Sequence, residues 1–529
     1  MHVDIHMKHL SLRVWLRIFI YAIATGLLIQ LLVLPHIFPQ LHAGNGLLAG
    51  RDWVGFHEQA VAHAQQIALG GWGEFRLRPD GDNAIIGVTS FFYVILGPKP
   101  WALLPLSAAM FATGGVALFS MLKRLDLEDS EAGIALMPYL FFPSALLQYG
   151  QIHKDVFCTA GVLVILWTWV GLLRKERKLV EIFPLLTVSA LALILVSVFR
   201  PYFMFPFLGL GAGLLAWHVV RIVWQLVKLQ LSLKKDAYWI ALKFNFQSTA
   251  ILALLCGFIY LMSISFLDIR MQPLGSSGWL LKIPVPVFAF KSNEAVRSAD
   301  SVRIFYDEPL IAAGNAGPAG AARAAIRKAA AIKAAALEAA AIKAIQECRP
   351  ILIMRNDAFL ENTMNRVFLK IAVARAGFTS SGGTTAASNI DKGIDFCKNE
   401  DLIRYVPRAM QIAFFAPFPS KWLSTEKRNS SPVEIYISAV EMFYCYVAYL
   451  GLLYWLVSYK RWNVPLLIPI SFALGLSLLL GLTVANVGTL YRMRFPFCMI
   501  FVSIGMAGLM QMAKGIPVWL ERFNTAGDS

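Results

Sequence analysis

A polytopic α-helical membrane protein is the fold class this sequence predicts, with about ten transmembrane helices, a re-entrant or interfacial element and one mostly helical extracytoplasmic domain. Three observations carry that expectation. The 529 residues are 57% hydrophobic and only 15% charged, where soluble chains carry about 25% charged residues. The mean hydropathy is +0.60. The apolar residues also fall in blocks of roughly 18–24, long enough to cross about 30 Å of hydrocarbon at 1.5 Å per residue.

Those blocks define candidate spans at 13–36, 101–122, 132–150, 156–173, 182–199, 202–223, 246–268, 434–457, 464–486 and 495–513. The first is too long for a signal-peptide core and lacks a small-residue cleavage site, so an uncleaved first helix is expected. The run 84–97, closed by Gly97-Pro98, is too short to cross and reads as the re-entrant or interfacial element. Basic clusters decide this point. Lys123 and Arg124, then Arg174, Lys175, Arg177 and Lys178, then Lys234 and Lys235, then Lys460 and Arg461 sit at alternate ends of the blocks. Leaving 84–97 out of the count puts all of them, with both termini, on the cytoplasmic side, as positive charge prefers.

Three parts follow: an N-terminal transmembrane module, 1–268, with about seven helices and an external loop at 37–100; an extracytoplasmic domain, 269–432; and a C-terminal module of about three helices, 433–529. The loop carries RDWVGFHEQAVAHAQQI, a surface helix with Trp53 and Phe56 at the headgroups. The stretch 270–432 holds 22 Lys/Arg against 13 Asp/Glu. Long loops escape the positive-inside rule, so this excess leaves the topology intact and points to an anionic neighbour. Alanine's helix propensity predicts a solvated spacer helix at 318–346, between Pro318 and Pro350. PRAMQIAFFAPFPSKW, aromatic and proline-broken, is expected to lie at the interface beneath that domain.

Cys158, Cys256, Cys445 and Cys498 fall in or beside apolar blocks, as small packing residues do. Cys348 and Cys397 share the long external segment, where a disulfide between them is chemically open. No CxxC or His/Cys spacing suits zinc, and no motif demands a cofactor, although a divalent cation stays open. GxSxG, Walker A and GxGxxG contexts are missing, so nucleotide chemistry has no support and no nucleic-acid partner is expected.

Charged groups held at the membrane edge are the candidates for function. Asp52, about fifteen residues past the first helix, reads either as a helix N-cap or as a general base for an acceptor hydroxyl. Asp155, with Lys154 and His153, reads as a capped turn or as a polar cluster facing the same cavity. In Tyr491-Arg492-Met493-Arg494-Phe495-Pro496, two outward arginines need an anion, either lipid phosphate or a substrate phosphate. Arg200 is a weaker candidate of the same kind. His57, Glu58 and His63 read as interfacial residues of the surface helix rather than metal ligands.

Asp52 in the first external loop, FFPSALLQYGQIHKD with Asp155, and the outward YRMRFP together resemble the GT-C superfamily of polyprenyl-phosphate-dependent membrane glycosyltransferases, over roughly 13–220 and the last span. The middle, ENTMNRVFLKIAVARAGF…SNIDKGIDF…YVPRAMQIAFFAPFPSKW, looks like a segment of bacterial membrane proteins of polysaccharide biosynthesis. Many relatives carry their large domain at the C-terminus, whereas here it lies between spans.

The resemblance implies a multi-pass protein of the bacterial inner membrane with its active site facing the periplasm. It implies a polyprenyl-phosphate-linked sugar donor, a glycan or lipid acceptor, and contact with membrane lipids. Asp52 and Asp155 become the catalytic carboxylates, with Asp52 taking the acceptor proton in an inverting transfer. Lys154, Arg200, Arg492 and Arg494 become binders of the donor phosphate. Two alternatives are an arginine-based polymerase or ligase using an undecaprenyl-diphosphate-linked glycan, and a transporter or flippase for lipid-linked glycans.

Overall fold

The computed structural model describes residues 2–49, 52–79, 83–125, 127–174, 178–231, 235–264, 270–274, 278–282, 399–422, 432–458 and 464–526, with scattered positions in 367–396. Cys348, Cys397 and the Ala-rich stretch 318–346 lie outside the described residues, as does Arg51.

The described chain is almost wholly helical. Eight of its helices are long and apolar enough to cross a membrane, so the protein is a multi-pass α-helical membrane protein. In chain order the helices are α1 His2–Leu28, α2 Asp52–Gly70, α3 Ala84–Leu96, α4 Leu104–Arg124, α5 Asp129–Phe141, α6 Pro143–Tyr149, α7 Asp155–Arg174, α8 Leu179–Phe199, α9 Met204–Leu231 and α10 Lys235–Ile264. A short antiparallel hairpin, β1 Arg270–Leu274 with β2 Gly278–Lys282, follows. Then come α11 Asn399–Phe415, α12 Pro432–Ser458, α13 Val464–Thr483, α14 Val487–Met493 and α15 Phe495–Ala526.

The axis of the bundle is α7. Its apolar stretch is 94% enclosed by protein, against 28% for those of α1 and α9, which keep apolar side chains on the outer surface as lipid-facing helices do. Packing contacts fix the helix directions. Ile18 lies against Gly115 and Leu104 against Gly26, so α4 runs antiparallel to α1. Ala160 lies against Gly114 and Arg124 against Gly171, so α7 runs with α4. Trp169 Nε1 donates to Ser189 Oγ at 3.1 Å, while Gly161 meets Val196, so α8 returns.

The block 132–150 is not one straight helix. Phe142 takes an extended conformation, φ −62 and ψ 127, and Pro143 starts a second helix. A residue before proline is pushed out of the helical region, and proline suits the first helical turn. The break exposes the Ser144 N–H, and Glu441 of α12 caps it, Oε1 accepting at 2.7 Å. The block 84–97 forms a 13-residue helix, α3, which packs on α2 through Ser90 Oγ donating to Ala60 O at 3.2 Å.

The bundle segregates its charges by end. Lys123 pairs with Asp129 at 2.8 Å and Lys514 with Glu131 at 2.6 Å at one end. Asp52, His153, Asp155, Arg200 and Arg492 gather at the other. Over this second end lies the described part of the large segment. Ile390 N donates to Ala485 O at 2.8 Å, and Asn389 bridges Asn486. Buried Arg375 donates to the carbonyls of Asp391, Ile394 and Leu482 and to the Tyr405 hydroxyl, so one guanidinium ties this segment to the end of α13. The part of PRAMQIAFFAPFPSKW that precedes Ala416 is helical: α11 runs through Pro407 to Phe415 and seats Phe414 against Phe501.

Candidate functional site

Five separate stretches build one polar cluster at the end of the bundle: the start of α2, the turn before α7, the junction of α8 and α9, α14, and the residue preceding α3. The loop leading into α2 is fastened before it reaches Asp52. Leu48 N donates to Gln151 Oε1 at 3.0 Å, Gln151 Nε2 donates to Gly46 O at 3.3 Å, and the Trp53 indole donates to Leu48 O. Gly46 has φ +78, and a Cβ there would stand 2.6 Å from Gln30 O, so only glycine fits this turn. Trp53 is fully buried, with its ring 6.1 Å edge-on from that of His153. These bonds aim the first residue of α2, Asp52, at α14.

Arg492 is the centre of the cluster. Its Nη1 stands 3.3 Å from Asp52 Oδ2 and 3.4 Å from His153 Nε2. His153 Nδ1 is 3.1 Å from Asp155 Oδ2, and Asp155 Oδ1 accepts from Arg200 Nη2. Arg200 also donates to the Tyr202 hydroxyl. Both ring nitrogens of His153 therefore face charged neighbours, Nε2 toward Arg492 and Nδ1 toward Asp155. The backbone N–H of Asp155 also approaches Nδ1, at 3.2 Å. Asp52, Arg492, His153, Asp155 and Arg200 thus form one connected chain of polar neighbours.

The two carboxylates live in different surroundings. Asp155 is buried at 5% exposure and is neutralised from two sides. The Asp52 side chain is 61% exposed. Partial desolvation of the carboxyl pushes Asp52 upward, but the positive groups around it, Arg492 foremost, outweigh that and hold it below the ordinary carboxylate range. Asp52 is thus an ionised, solvent-reachable carboxylate, whereas Asp155 is the buried counter-ion of Arg200.

The cationic candidates separate as well. Lys154 Nζ donates to Asn83 Oδ1 at 2.6 Å and lies 5.8 Å from the Phe56 ring centroid, tying α3 to the cluster. Arg494 turns away from Arg492: Nη1 donates to Ala413 O at 2.7 Å and Nη2 points at Met442 Sδ. It caps the Ala413 carbonyl in the last turn of α11, while Tyr449 and Tyr446 answer the carbonyls of Phe414 and Phe415. Arg200 is 8% exposed and committed to Asp155 and Tyr202. A small cavity lined by Trp53, Ser144, His153, Asp155, Tyr491, Arg492 and Phe495 opens beside the cluster.

On α2, His57 Nδ1 lies 2.7 Å from the Tyr93 hydroxyl, and His63 Nε2 lies 3.1 Å from both backbone polar atoms of Arg76. Burial, with Lys99 nearby, lowers the His57 imidazole below its ordinary range. Among the described residues no three His, Cys, Asp or Glu side chains converge as metal ligands. Two participants escape the sequence reading. Glu441 is legible only as an acid inside an apolar block, and Gln151 carries no signal of its own.

No family model matches the sequence, and no curated protein or solved structure matches it.

Proposed function

We propose that this protein is an inverting membrane glycosyltransferase that moves a sugar from a polyprenyl-phosphate-linked donor to a glycan or lipid acceptor at the extracytoplasmic face of a bacterial inner membrane. The observation that supports this reading best is the pairing of an exposed, ionised Asp52 with Arg492 beside a small cavity at the bundle end. That end lies opposite Lys123, Arg124 and Lys514.

In the proposed reaction the acceptor oxygen forms a bond to the anomeric carbon. The carbon–oxygen bond to the lipid phosphate breaks, and its electron pair leaves on the phosphate. The acceptor proton passes to Asp52. Arg492 balances the charge on the departing phosphate, as preorganised cations do in transfer reactions. The apolar outer faces of α1 and α9 are compatible with a polyprenyl tail lying alongside the bundle.

Replacing Asp52 with Asn tests the base directly. Loss of a positioned general base costs about 10²–10⁴-fold in rate, so transfer from a polyprenyl-phosphate sugar by the purified variant should fall by that factor. Full activity in the variant would sink the assignment.

A polymerase or ligase using a diphosphate-linked glycan is the second reading, and the central place of Arg492 in the cluster favours it. In that case Asp52→Asn retains transfer while Arg492→Gln loses it.

A further inference from the structure

Arg492 holds two partners that differ in how firmly they are fixed. His153 is buried, and Asp155 and Arg200 back it from behind. Asp52 stands at the first turn of a surface helix with most of its side chain in solvent. An exposed ion pair of this kind is weak because water and salt screen it, whereas a guanidinium meets a phosphate with two parallel hydrogen bonds.

The cavity wall also carries donors without acceptors. Tyr491 and Arg492 both line it, and the Tyr491 hydroxyl and Arg492 Nε are buried with no hydrogen-bond partner among the described residues. Buried donors left unpaired are costly, and an incoming oxyanion would satisfy them.

We infer that Arg492 is an exchange residue: it holds Asp52 in an ion pair until a prenyl-phosphate headgroup arrives, then passes to that phosphate and releases Asp52 to act as the base. The inference rests on the transferase reading and adds an order to it. Donor must bind before the carboxylate is free to accept a proton. His153, buried against Asp155, stays beside Arg492 Nη1 throughout, while Arg492 Nε and Nη2 are open to the phosphate. Loss of the Arg492 charge to the phosphate also removes the chief neighbour that holds Asp52 low, so its basicity rises when the donor is seated.

The exchange predicts that removing the carboxylate charge tightens phosphate binding. The full-length chain in nanodiscs would be titrated with farnesyl phosphate, with farnesol, inorganic phosphate and phosphatidylglycerol as comparison arms. Breaking an exposed pair is worth up to about fivefold in affinity, so Asp52→Asn should bind farnesyl phosphate about fivefold more tightly than the parent chain. Asp52→Ser, which keeps a helix-capping oxygen, should do the same if the Asn variant folds poorly. Arg492→Gln should weaken binding, and the gain should vanish in Asp52→Asn/Arg492→Gln.

Unchanged or weaker binding in a folded Asp52→Asn chain overturns the exchange, and so does a gain that survives without Arg492. An equal gain for inorganic phosphate or phosphatidylglycerol overturns the prenyl-phosphate assignment. Tighter binding with full transfer upholds the exchange and removes Asp52 as the base. Lost transfer with unchanged affinity does the reverse.

Discussion

At the scale of single residues, the site separates two aspartates and two arginines that look alike in sequence. Asp52 and Asp155 are both acids at the membrane edge, yet one is exposed beside one arginine while the other is buried between His153 and Arg200. Breaking a buried ion pair from one side leaves an uncompensated charge and costs about 3–5 kcal/mol. Asp155→Asn should therefore lower the thermal unfolding temperature sharply, while Asp52→Asn should leave it near that of the parent. Equal unfolding temperatures for the two variants would remove Asp155 from the role of counter-ion. Exposure is the property that tells the aspartates apart, and it depends on how distant segments pack. Arg492 and Arg494 are separated by one residue, and their different tasks come from helix geometry: the turn between α14 and α15 sends one guanidinium to Asp52 and the other to Ala413 O.

At the scale of elements, prolines and glycines do the local work. Phe142-Pro143 divides one apolar block into α5 and α6, and the freed N–H is answered by Glu441 from a helix almost 300 residues away. The proline was legible in the sequence; its partner was not, because nothing local specifies which distant acid reaches it. The crossing of α12 and α15 depends on backbone contact. A Cβ on Gly505 would stand 2.0 Å from Ala448 O, and one on Gly508 would stand 2.0 Å from Gly451 O. Helices in lipid associate through such close approach, since there is no hydrophobic drive between them. Gly505→Ala should force the pair apart and destabilise the protein by about 1–3 kcal/mol, the usual cost of overpacking. Unfolding in detergent measures this, and a stability equal to the parent would show that the crossing is not tight.

At the scale of the whole molecule, charge sorting by end is the feature that gives the site its place. Among the described residues, Lys123 and Lys514 with their acidic partners lie at one end and the Asp52–Arg492 cluster at the other. If the positive end is cytoplasmic, Leu69→Cys on the exposed face of α2 should react with an impermeant maleimide on intact cells, whereas Asp129→Cys should react only after lysis. The parent chain supplies the background, and the reverse pattern would invert the orientation and with it the proposed extracytoplasmic site. The described part of 367–422 adds to this arrangement, since Arg375 and Asn389 fasten it above the cavity end and not along the lipid face.

Membrane residence and the sorting of charge were determined by the sequence alone, because hydrocarbon thickness sets the length of an apolar block and the membrane sorts positive charge by side. The shortness of α3 was legible for the same reason. What only the tertiary structure decided is which polar residues share a point. The five stretches of the cluster come together because long apolar helices carry their ends to one face, and a side chain's partners follow from that packing and not from its neighbours in sequence. Hence Asp52 is an exposed carboxylate and Asp155 a buried counter-ion, although nothing in their immediate sequence distinguishes the two.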